Sequence, residues 1–237
     1  MENSEKKVVM ISGANRGIGS AIAEKLLSEH YLLSLGVRNP EHLPESLASV
    51  RETQLLCHKY DARDGDSAKS WVDATVKQFG SLDVLINNAG VLHTTGLEDE
   101  EEDLLDDMWE VNAKAPLRLT RLVFPYLRKS GSGRIIDIIS MSGKRVKGNW
   151  VGYSMSKYAA LAASNTARLQ GWEDGIRVTN ICPGFVQSDM TITNAPWFPQ
   201  EKMSRPEDVA KVVSTLLLLP NESAIPEVMM NCVFETI

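Results

Sequence analysis

Cysteine and histidine are scarce in this chain of 237 residues. The three cysteines, Cys57, Cys182 and Cys232, are odd in number and far apart, which argues against a disulfide framework and favours buried thiols in a reducing compartment. The four histidines have no metal-ligand spacing with them. The acidic tract at 98–103 lacks the glycine and ligand spacing of a calcium loop and predicts a solvated helix start instead. We therefore expect no metal site.

Long apolar runs and an excess of positive charge are also missing. The leucine run at 216–219 ends at Pro220, far short of the roughly 18 residues that a membrane span requires. The polar start at 1–7 has no signal-peptide pattern. The net charge of −6, from 25 basic and 31 acidic residues, argues against a general nucleic-acid binder. These absences predict a cytoplasmic protein with neither a membrane nor a nucleic acid as its partner.

What the sequence does supply is a series of short apolar, β-branched runs that alternate with helical patterns. Strands are predicted at 8–11, 31–37, 54–60, 82–86, 134–139, 177–181 and 228–234. The length and the 43% of apolar residues favour a single domain over 1–237 with one large core. The pattern therefore predicts an α/β fold of Rossmann type: a doubly wound parallel seven-stranded sheet with helices on both faces.

A glycine-rich turn joins the first predicted strand to the first helix. Gly13 permits a tight turn, Gly17 lets the backbone approach a pyrophosphate, and Gly19 allows the helix to pack closely. No Lys-Ser or Lys-Thr pair follows the last glycine, so the turn is not a Walker-type phosphate loop. A dinucleotide site is the functional interpretation, and a merely structural turn is the alternative. The residues between the glycines that would share this site are Asn15, Arg16 and Ile18.

The end of the second strand indicates which dinucleotide is bound. An Asp or Glu there would accept a hydrogen bond from the ribose 2′-OH of NAD, but the strand ends at Arg38 instead. Arg38 suits a 2′-phosphate, and Arg16 could converge on the same group from the glycine turn. Either arginine alone could simply be solvated. Together they favour NADP (NADPH) as the cofactor.

Tyr153 and Lys157 are the candidate catalytic pair. Four residues apart, they lie on one face of a helix, where an ammonium could lower the pKa of the phenol and let it exchange protons with an alcohol. The spacing alone is common on ordinary helices. Ser140 strengthens the case because it ends the fifth strand, at the edge where parallel sheets place their ligands. Asn112 and Pro116, a polar residue and a helix breaker within an apolar helix, invite a functional interpretation as well.

The segment at 185–203 is long for a passive connection, and we interpret it as a substrate lid. Its Trp197 and Phe198, with Trp150 nearby in the site wall, suggest an apolar or aromatic substrate. Aromatic residues in a lid can also pack on the protein itself. The sequence does not identify the substrate.

Three further motifs follow predicted strands: Asp61, Asn87-Asn88-Ala89-Gly90 and Pro183-Gly184. With them, the chain resembles the short-chain dehydrogenase/reductases over essentially its whole length. Two departures are visible: Ser12 replaces the usual threonine, and 232–234 replaces a common Gly-Gly ending, which affects the expected C-terminal contacts and subunit packing. The motifs that carry the resemblance are Gly13-x-x-x-Gly17-x-Gly19, Asp61, Asn87-Asn88-Ala89-Gly90, Asn112, Ser140, Tyr153-x-x-x-Lys157 and Pro183-Gly184.

The resemblance implies a role for each matching residue. Tyr153 would be the acid or base, Ser140 would bind the reacting oxygen, and Lys157 would hold the nicotinamide ribose and lower the Tyr153 pKa. Asn112 would kink its helix and support a water-linked proton path to Lys157. A homo-oligomer is implied, a tetramer or a dimer. The further cofactor contacts implied are Asp61 and Ala62 at the adenine, Asn88, Ala89 and Gly90 along the adenosine and ribose, and Pro183, Gly184, Val186 and Ser188 at the nicotinamide.

The leading hypothesis is therefore an oxidoreductase that transfers a hydride between NADP(H) and a carbonyl or secondary alcohol. One alternative is an NAD-dependent alcohol dehydrogenase of the same family. Another is a catalytically silent member that senses nucleotides, because a fold does not fix a function. The four filled catalytic positions speak against silence.

Overall fold

The computed structural model describes residues 6–234. Its core is one sheet of seven parallel strands in the order β3-β2-β1-β4-β5-β6-β7. The predicted Rossmann-type fold is thereby confirmed. The strands are β1 Val8–Ser12, β2 Leu32–Val37, β3 Leu55–Lys59, β4 Val84–Asn87, β5 Arg134–Ile138, β6 Arg177–Pro183 and β7 Glu227–Met230.

Eight α-helices connect the strands in the described residues and cover both faces of the sheet. They are α1 Gly17–Ser28, α2 Glu45–Ala48, α3 Gly65–Phe79, α4 Glu102–Trp109, α5 Ala115–Ser130, α6 Val151–Gly171, α7 Asp189–Asn194 and α8 Pro206–Leu218. Short 3-10 helices occur at Pro40–His42, Met141–Gly143 and Gln200–Lys202. None of the helices in 6–234 is both long and apolar enough to cross a membrane.

Alternation along the central strand separates the two apolar layers. Val9 and Ile11 of β1 point into a cluster with α1 and α8, while Met10 points to the opposite face, where Trp71 of α3 is fully buried. Because both faces are covered, β1 is apolar throughout instead of alternating with polar residues.

One element differs from the sequence-based prediction, and a second has a turn that the sequence did not indicate. The last strand ends at Met230, not at Phe234, because its partner β6 ends at Pro183, the register partner of Met230. The helix that contains Asn112 and Pro116 is continuous, as predicted. A π-helical turn, Glu110–Lys114, joins α4 to α5 without interruption. Pro116 has no N–H for the Asn112 carbonyl one turn back, and its ring would clash with that carbonyl in a regular α-helix, so the wider turn accommodates both.

Candidate dinucleotide and catalytic site

The glycine turn after β1 has the backbone geometry that its sequence predicts. Gly13 and Gly17 have φ angles of +68° and +56°, which favour glycine over residues with a side chain. Gly19 is required for close packing, because a Cβ there would lie 2.3 Å from the Gly13 carbonyl oxygen. Gly17 lies at the entrance of the groove, where an added Cβ would be 3.7 Å from the Ser188 Cβ.

Ser12 and Asn88 fasten this turn to the end of β4. The Ser12 hydroxyl accepts hydrogen bonds from the backbone N–H groups of Asn88 and Ala89, each at 3.0 Å. The Asn88 side-chain amide donates to the carbonyls of Ser12 and Gly13, also at 3.0 Å. Ser12 stands where threonine is usual and keeps the hydroxyl. This hydroxyl therefore joins the two loops at the carboxyl edge of the sheet.

A groove of about 720 Å³ runs along this edge and brings together most of the predicted site. Gly19 is not part of its lining, since it is buried beneath the turn, and Asn112 lies behind the groove. The predicted residues that do line it are Gly13, Asn15, Arg16, Gly17, Ile18, Arg38, Asp61, Ala62, Asn88, Ala89, Gly90, Ser140, Tyr153, Lys157, Pro183, Gly184, Val186 and Ser188.

Ser140, directly after β5, is held in a strained conformation. Its φ of +150° with a ψ of 158° falls in a region that is essentially restricted to glycine. The Ser140 hydroxyl accepts a hydrogen bond from Ser142 N–H at 3.0 Å and also bonds the Tyr153 hydroxyl. The strain therefore coincides with the contact between the two hydroxyls that would meet a reacting oxygen.

Tyr153 and Lys157 are both buried near the start of α6, 7% and 5% exposed. Burial raises the pKa of Tyr153 to about 12, against the lowering effect of the Ser140 hydroxyl. Burial lowers the pKa of Lys157 to about 8, which the Asp137 carboxylate partly offsets. The expectation that Lys157 lowers the Tyr153 pKa is wrong for the protein alone. The ammonium lies 5.7 Å from the centre of the Tyr153 ring and donates to the Ile138 carbonyl at 2.9 Å, so desolvation dominates.

Asn112 lies in the π-helical turn and links three parts of the site. Its Oδ1 accepts from Val91 N–H at 2.9 Å, and its Nδ2 donates to the Val91 carbonyl at 2.8 Å and to the Ser156 hydroxyl at 3.0 Å. Gly90 fits against it, because a Cβ there would lie 3.2 Å from Asn112 Oδ1 and 3.7 Å from Lys157 Nζ. The wide turn thus holds the loop after β4 against α6.

The end of the groove with Tyr153 and Lys157 is called the catalytic end below, and the end with Arg16 and Arg38 the adenosine end. The adenosine end carries exposed charges. Arg38 is exposed and forms no ion pair with another residue of the described chain. Arg16 instead pairs with Asp189 at the start of α7, at 2.8 Å. Arg63 contacts Asp61 at 3.4 Å and Asp107 at 2.6 Å. The two arginines expected at a 2′-phosphate therefore differ: one is free, and the other already has an acidic partner.

The 185–203 segment carries a cluster of aromatic side chains. It contains α7 and a 3-10 turn, and Val186 pairs with Ser204 in a parallel bridge. The Phe185 ring packs on Phe198, Trp197 and Trp150, with ring centres 4.5, 5.6 and 6.2 Å away. These aromatic residues therefore pack on one another, and none of them is among the residues that line the groove.

Several residues of the site escaped the sequence analysis. Asp189, Arg63 and Gln200 line the groove, but in the sequence they look like ordinary surface residues. Asp137 and Asn87 are buried behind Lys157 and bond each other at 2.7 Å. A carboxylate in the middle of an otherwise apolar run, Ile-Ile-Asp-Ile-Ile at 135–139, was the signal that could have found Asp137.

Fold and site together define a protein of the Rossmann class, with a glycine turn, a tyrosine and a lysine lining one groove. A family model described as short chain dehydrogenase matches residues 7–198. The chain therefore belongs to the short-chain dehydrogenase family, as its motifs indicate.

Similar proteins agree with this assignment. An agropine synthesis reductase of Rhizobium rhizogenes is 40% identical over the whole of this chain and 55% of its own length, and a second one is 37% identical over 99% and 54%. The chain thus spans about half the length of these curated relatives. The structure of an alcohol dehydrogenase from Thermococcus sibiricus, complexed with 5-hydroxy-NADP, is 30% identical with a TM-score of 0.88, covering 98% of this chain and 99% of that one. A metagenomic short-chain oxidoreductase in complex with NADP is 27% identical with a TM-score of 0.82, covering 98% and 100%.

Proposed function

We propose that the protein is an NADP(H)-dependent oxidoreductase that reduces a carbonyl group of a small molecule to an alcohol, with Tyr153 as the acid. One observation carries the proposal: the Tyr153 hydroxyl meets the strained Ser140 at the carboxyl edge of the sheet, with Lys157 one turn further along α6. A structural helix would not need three polar groups converging on a groove.

Each side chain has a defined task in this reaction. Ser140 donates a hydrogen bond to the carbonyl oxygen of the substrate as negative charge develops there. Tyr153 transfers its proton to that oxygen, completing the alcohol. Lys157 lines the groove, where it would bind the ribose hydroxyls of the cofactor. When bound, the nicotinamide supplies the hydride to the carbonyl carbon.

The protonation states favour reduction at neutral pH. A phenol with a pKa of about 12 carries its proton throughout the physiological range, so Tyr153 is ready to act as an acid. An oxidising enzyme would need the tyrosinate, which burial disfavours. Lys157, with a pKa of about 8, is charged below that value and loses its charge above it. We therefore expect reduction to fall as the pH rises through about 8.

The groove suits NADP by its shape and its charge. The glycine turn opens onto it without side chains at Gly13 and Gly17, so backbone N–H groups can meet a pyrophosphate. Arg38 is exposed and unpaired where a 2′-phosphate would lie, and no carboxylate follows β2 directly. The two NADP complexes among similar structures support the same choice.

The test is turnover of NADPH with a panel of activated ketones, followed at 340 nm. The control is Tyr153→Phe, which keeps the ring and removes the proton; its kcat should fall on the order of 10²-fold or more while NADPH binding is retained. Near-normal turnover in that variant would refute the acid role. Binding of NADPH without turnover of any substrate would favour a nucleotide-sensing function instead.

The proposal extends to the lid and to the assembly. We assign 185–203 as the substrate lid, since residues 186–192 and Gln200 of this segment line the groove. A homo-oligomer, with a tetramer favoured, is supported by apolar side chains that α6 leaves exposed, namely Met155, Tyr158 and Leu169. Sedimentation should then find an assembly at micromolar concentration, and a monomer alone would refute it.

A further inference from the structure

A carboxylate lies behind the catalytic end of the groove, in a place that the proposed reaction does not use. Asp137 is in β5 and is 6% exposed. Its Oδ1 accepts a hydrogen bond at 2.7 Å from the Nδ2 of Asn87, which is its register partner on β4. Because a carboxylate this deeply buried is rare without compensation, the residues around it should include a donor or a cation.

That cation is Lys157. Lys157 is 5% exposed, and its ammonium donates at 2.9 Å to the carbonyl of Ile138, the next residue along β5. Burial raises the pKa of the Asp137 carboxyl, and the positive charge of Lys157 acts against that rise. The polar groups that face Asp137 from the other elements are neutral. They are Asn87 of β4 and Ser164 of α6. Asn87 Nδ2 in turn donates to the Thr120 hydroxyl of α5 at 3.4 Å.

A small cavity of about 20 Å³ connects the two charges. Asp137 and Lys157 both line it, together with Asn87 and Asn112. This volume suffices for one water molecule, which needs roughly 10–15 Å³ and two or more polar partners. Asn87 Oδ1 is buried there and has no hydrogen-bond partner among the described residues, so it offers an acceptor to such a water.

We propose that Asp137 is a positioning residue, whose carboxylate acts through this cavity to keep the Lys157 ammonium charged and directed at the groove. The role rests on the proposed function in one respect, because that reaction requires a charged Lys157. Asp137 makes no contact with a substrate in this scheme. It compensates the cost of burying the lysine.

The other titratable groups around Lys157 do not supply this charge near neutral pH. Cys182 of β6 faces it, and burial raises the pKa of that thiol to about 11. Tyr153, on the same helix, has a pKa of about 12, and burial raises the pKa of Tyr60, which lines the cavity from the end of β3, above its ordinary value. All three are neutral at pH 7, so Asp137 is the one carboxylate among the groups facing Lys157 in the described chain. Burial raises the pKa of Asp137 as well, and Ser164, Asn87 and Lys157 act against that rise.

The direct test is the titration of Lys157 in the full-length protein without cofactor. Lysine labelled with ¹³C at Cε is followed by NMR, and the Lys157 signal is assigned from Lys157→Arg. In Asp137→Asn, which keeps the size of the side chain, the pKa of Lys157 should fall by about one unit or more. An unchanged titration would overturn the proposal, since it would mean that Asp137 carries no charge or does not act on Lys157.

Exchanging the side chains at 87 and 137 tests the effect of the negative charge separately from the effect of side-chain shape. In the double variant Asn87→Asp with Asp137→Asn, the carboxylate moves to the neighbouring strand but still lines the same cavity, and it should restore most of the lost titration shift. A swap that leaves Lys157 titrating as in Asp137→Asn would contradict the electrostatic role. If Asp137→Asn does not fold, the reciprocal measurement remains: Lys157→Met should raise the pKa of Asp137, followed through its ¹³Cγ signal, and no change would overturn the proposal.

Kinetics then distinguish this inference from the proposed function. In an active enzyme, the fall of kcat with rising pH should begin about one unit lower in Asp137→Asn, and the swap should reverse this. A protein without turnover, in which the Lys157 titration still responds to Asp137→Asn, would refute the proposed function and support the positioning role. Normal turnover with an unchanged pH profile and an unchanged Lys157 titration would support the proposed function and overturn the positioning role.

Discussion

The two ends of the groove are built on different physical principles. At the catalytic end, Tyr153 and Lys157 are almost completely buried, and Ser140 is held in a conformation that costs free energy. At the adenosine end, Arg38 is exposed, and the side chains of Arg16 and Asp189 are 64% and 70% exposed in their ion pair. Burial sets the protonation states of Tyr153 and Lys157 at the catalytic end. At the adenosine end, solvent screens the charges of the exposed side chains.

This difference determines how strongly each end should respond to a substitution. A buried charge that loses its partner is expensive, because no water replaces the partner. An exposed ion pair contributes about 0–1 kcal/mol and weakens with salt. We therefore expect large, salt-insensitive effects at the catalytic end and smaller, salt-dependent effects at the adenosine end.

The largest effect is expected at Lys157. Lys157→Met removes the charge and keeps most of the volume, so kcat should fall on the order of 10²-fold or more and the Kd for NADPH should rise as well. Both parameters, measured by steady-state rates and by fluorescence titration, should change together. A loss of kcat alone would mean that Lys157 does not bind the cofactor.

Ser140 offers a test of stability against activity. Ser140→Ala and Ser140→Gly both remove the hydroxyl, and kcat should fall roughly 10²-fold in each. Glycine also relieves the strained φ, which is worth about 1–3 kcal/mol, although its greater freedom in the unfolded chain offsets about 1 kcal/mol. Thermal unfolding should therefore find Ser140→Gly at least as stable as Ser140→Ala. A less stable glycine variant would argue against strain at this position.

The contrast between the ends also explains what the sequence could predict. Strand periodicity and the order of elements gave the sheet, and the sheet brings Gly13, Ser140 and Pro183 to one edge although they are far apart in the chain. These are consequences of local patterns and of the topology of parallel sheets. The family motifs then mark most of the groove.

Features that depend on tertiary surroundings were not predictable in this way. The Tyr153 pKa was expected to fall, but the depth of burial, which the spacing to Lys157 does not reveal, raises it. The partner of Arg16 is 173 residues further along the chain. In the sequence, Asp137 is one polar residue within a strand. Only the fold shows that it lines the same cavity as Lys157. In each case the missing information is distance in space.

A moderate effect is expected at Arg38. A forked, charge-assisted contact to the 2′-phosphate is worth roughly 1.5–3 kcal/mol, so Arg38→Ala should raise KM for NADPH about tenfold to a hundredfold and leave KM for NADH nearly unchanged. Arg38→Asp should move the preference toward NADH. The substitution is made at 38 because the neighbouring Val37 side chain is buried in the core. A wild-type kcat/KM for NADH equal to that for NADPH would contradict the cofactor assignment but not the reductase assignment.

The smallest effect is expected at the Arg16–Asp189 pair, and it sharpens the contrast most directly. Asp189→Asn keeps the size of the side chain, frees Arg16, and removes a negative charge from the lining of the groove. Both changes favour an anionic cofactor, so KM for NADPH should fall a few-fold at low ionic strength, by the 1 kcal/mol or so that an exposed pair allows. The gain should fade as salt screens the charges, and it should be smaller for NADH, which lacks the 2′-phosphate. Arg16→Gln is the matched control: adding it to Asp189→Asn should remove most of the gain. An effect that is large, insensitive to salt and equal for both cofactors would mean that this ion pair acts through the position of α7, and the adenosine end would then be as dependent on fixed geometry as the catalytic end.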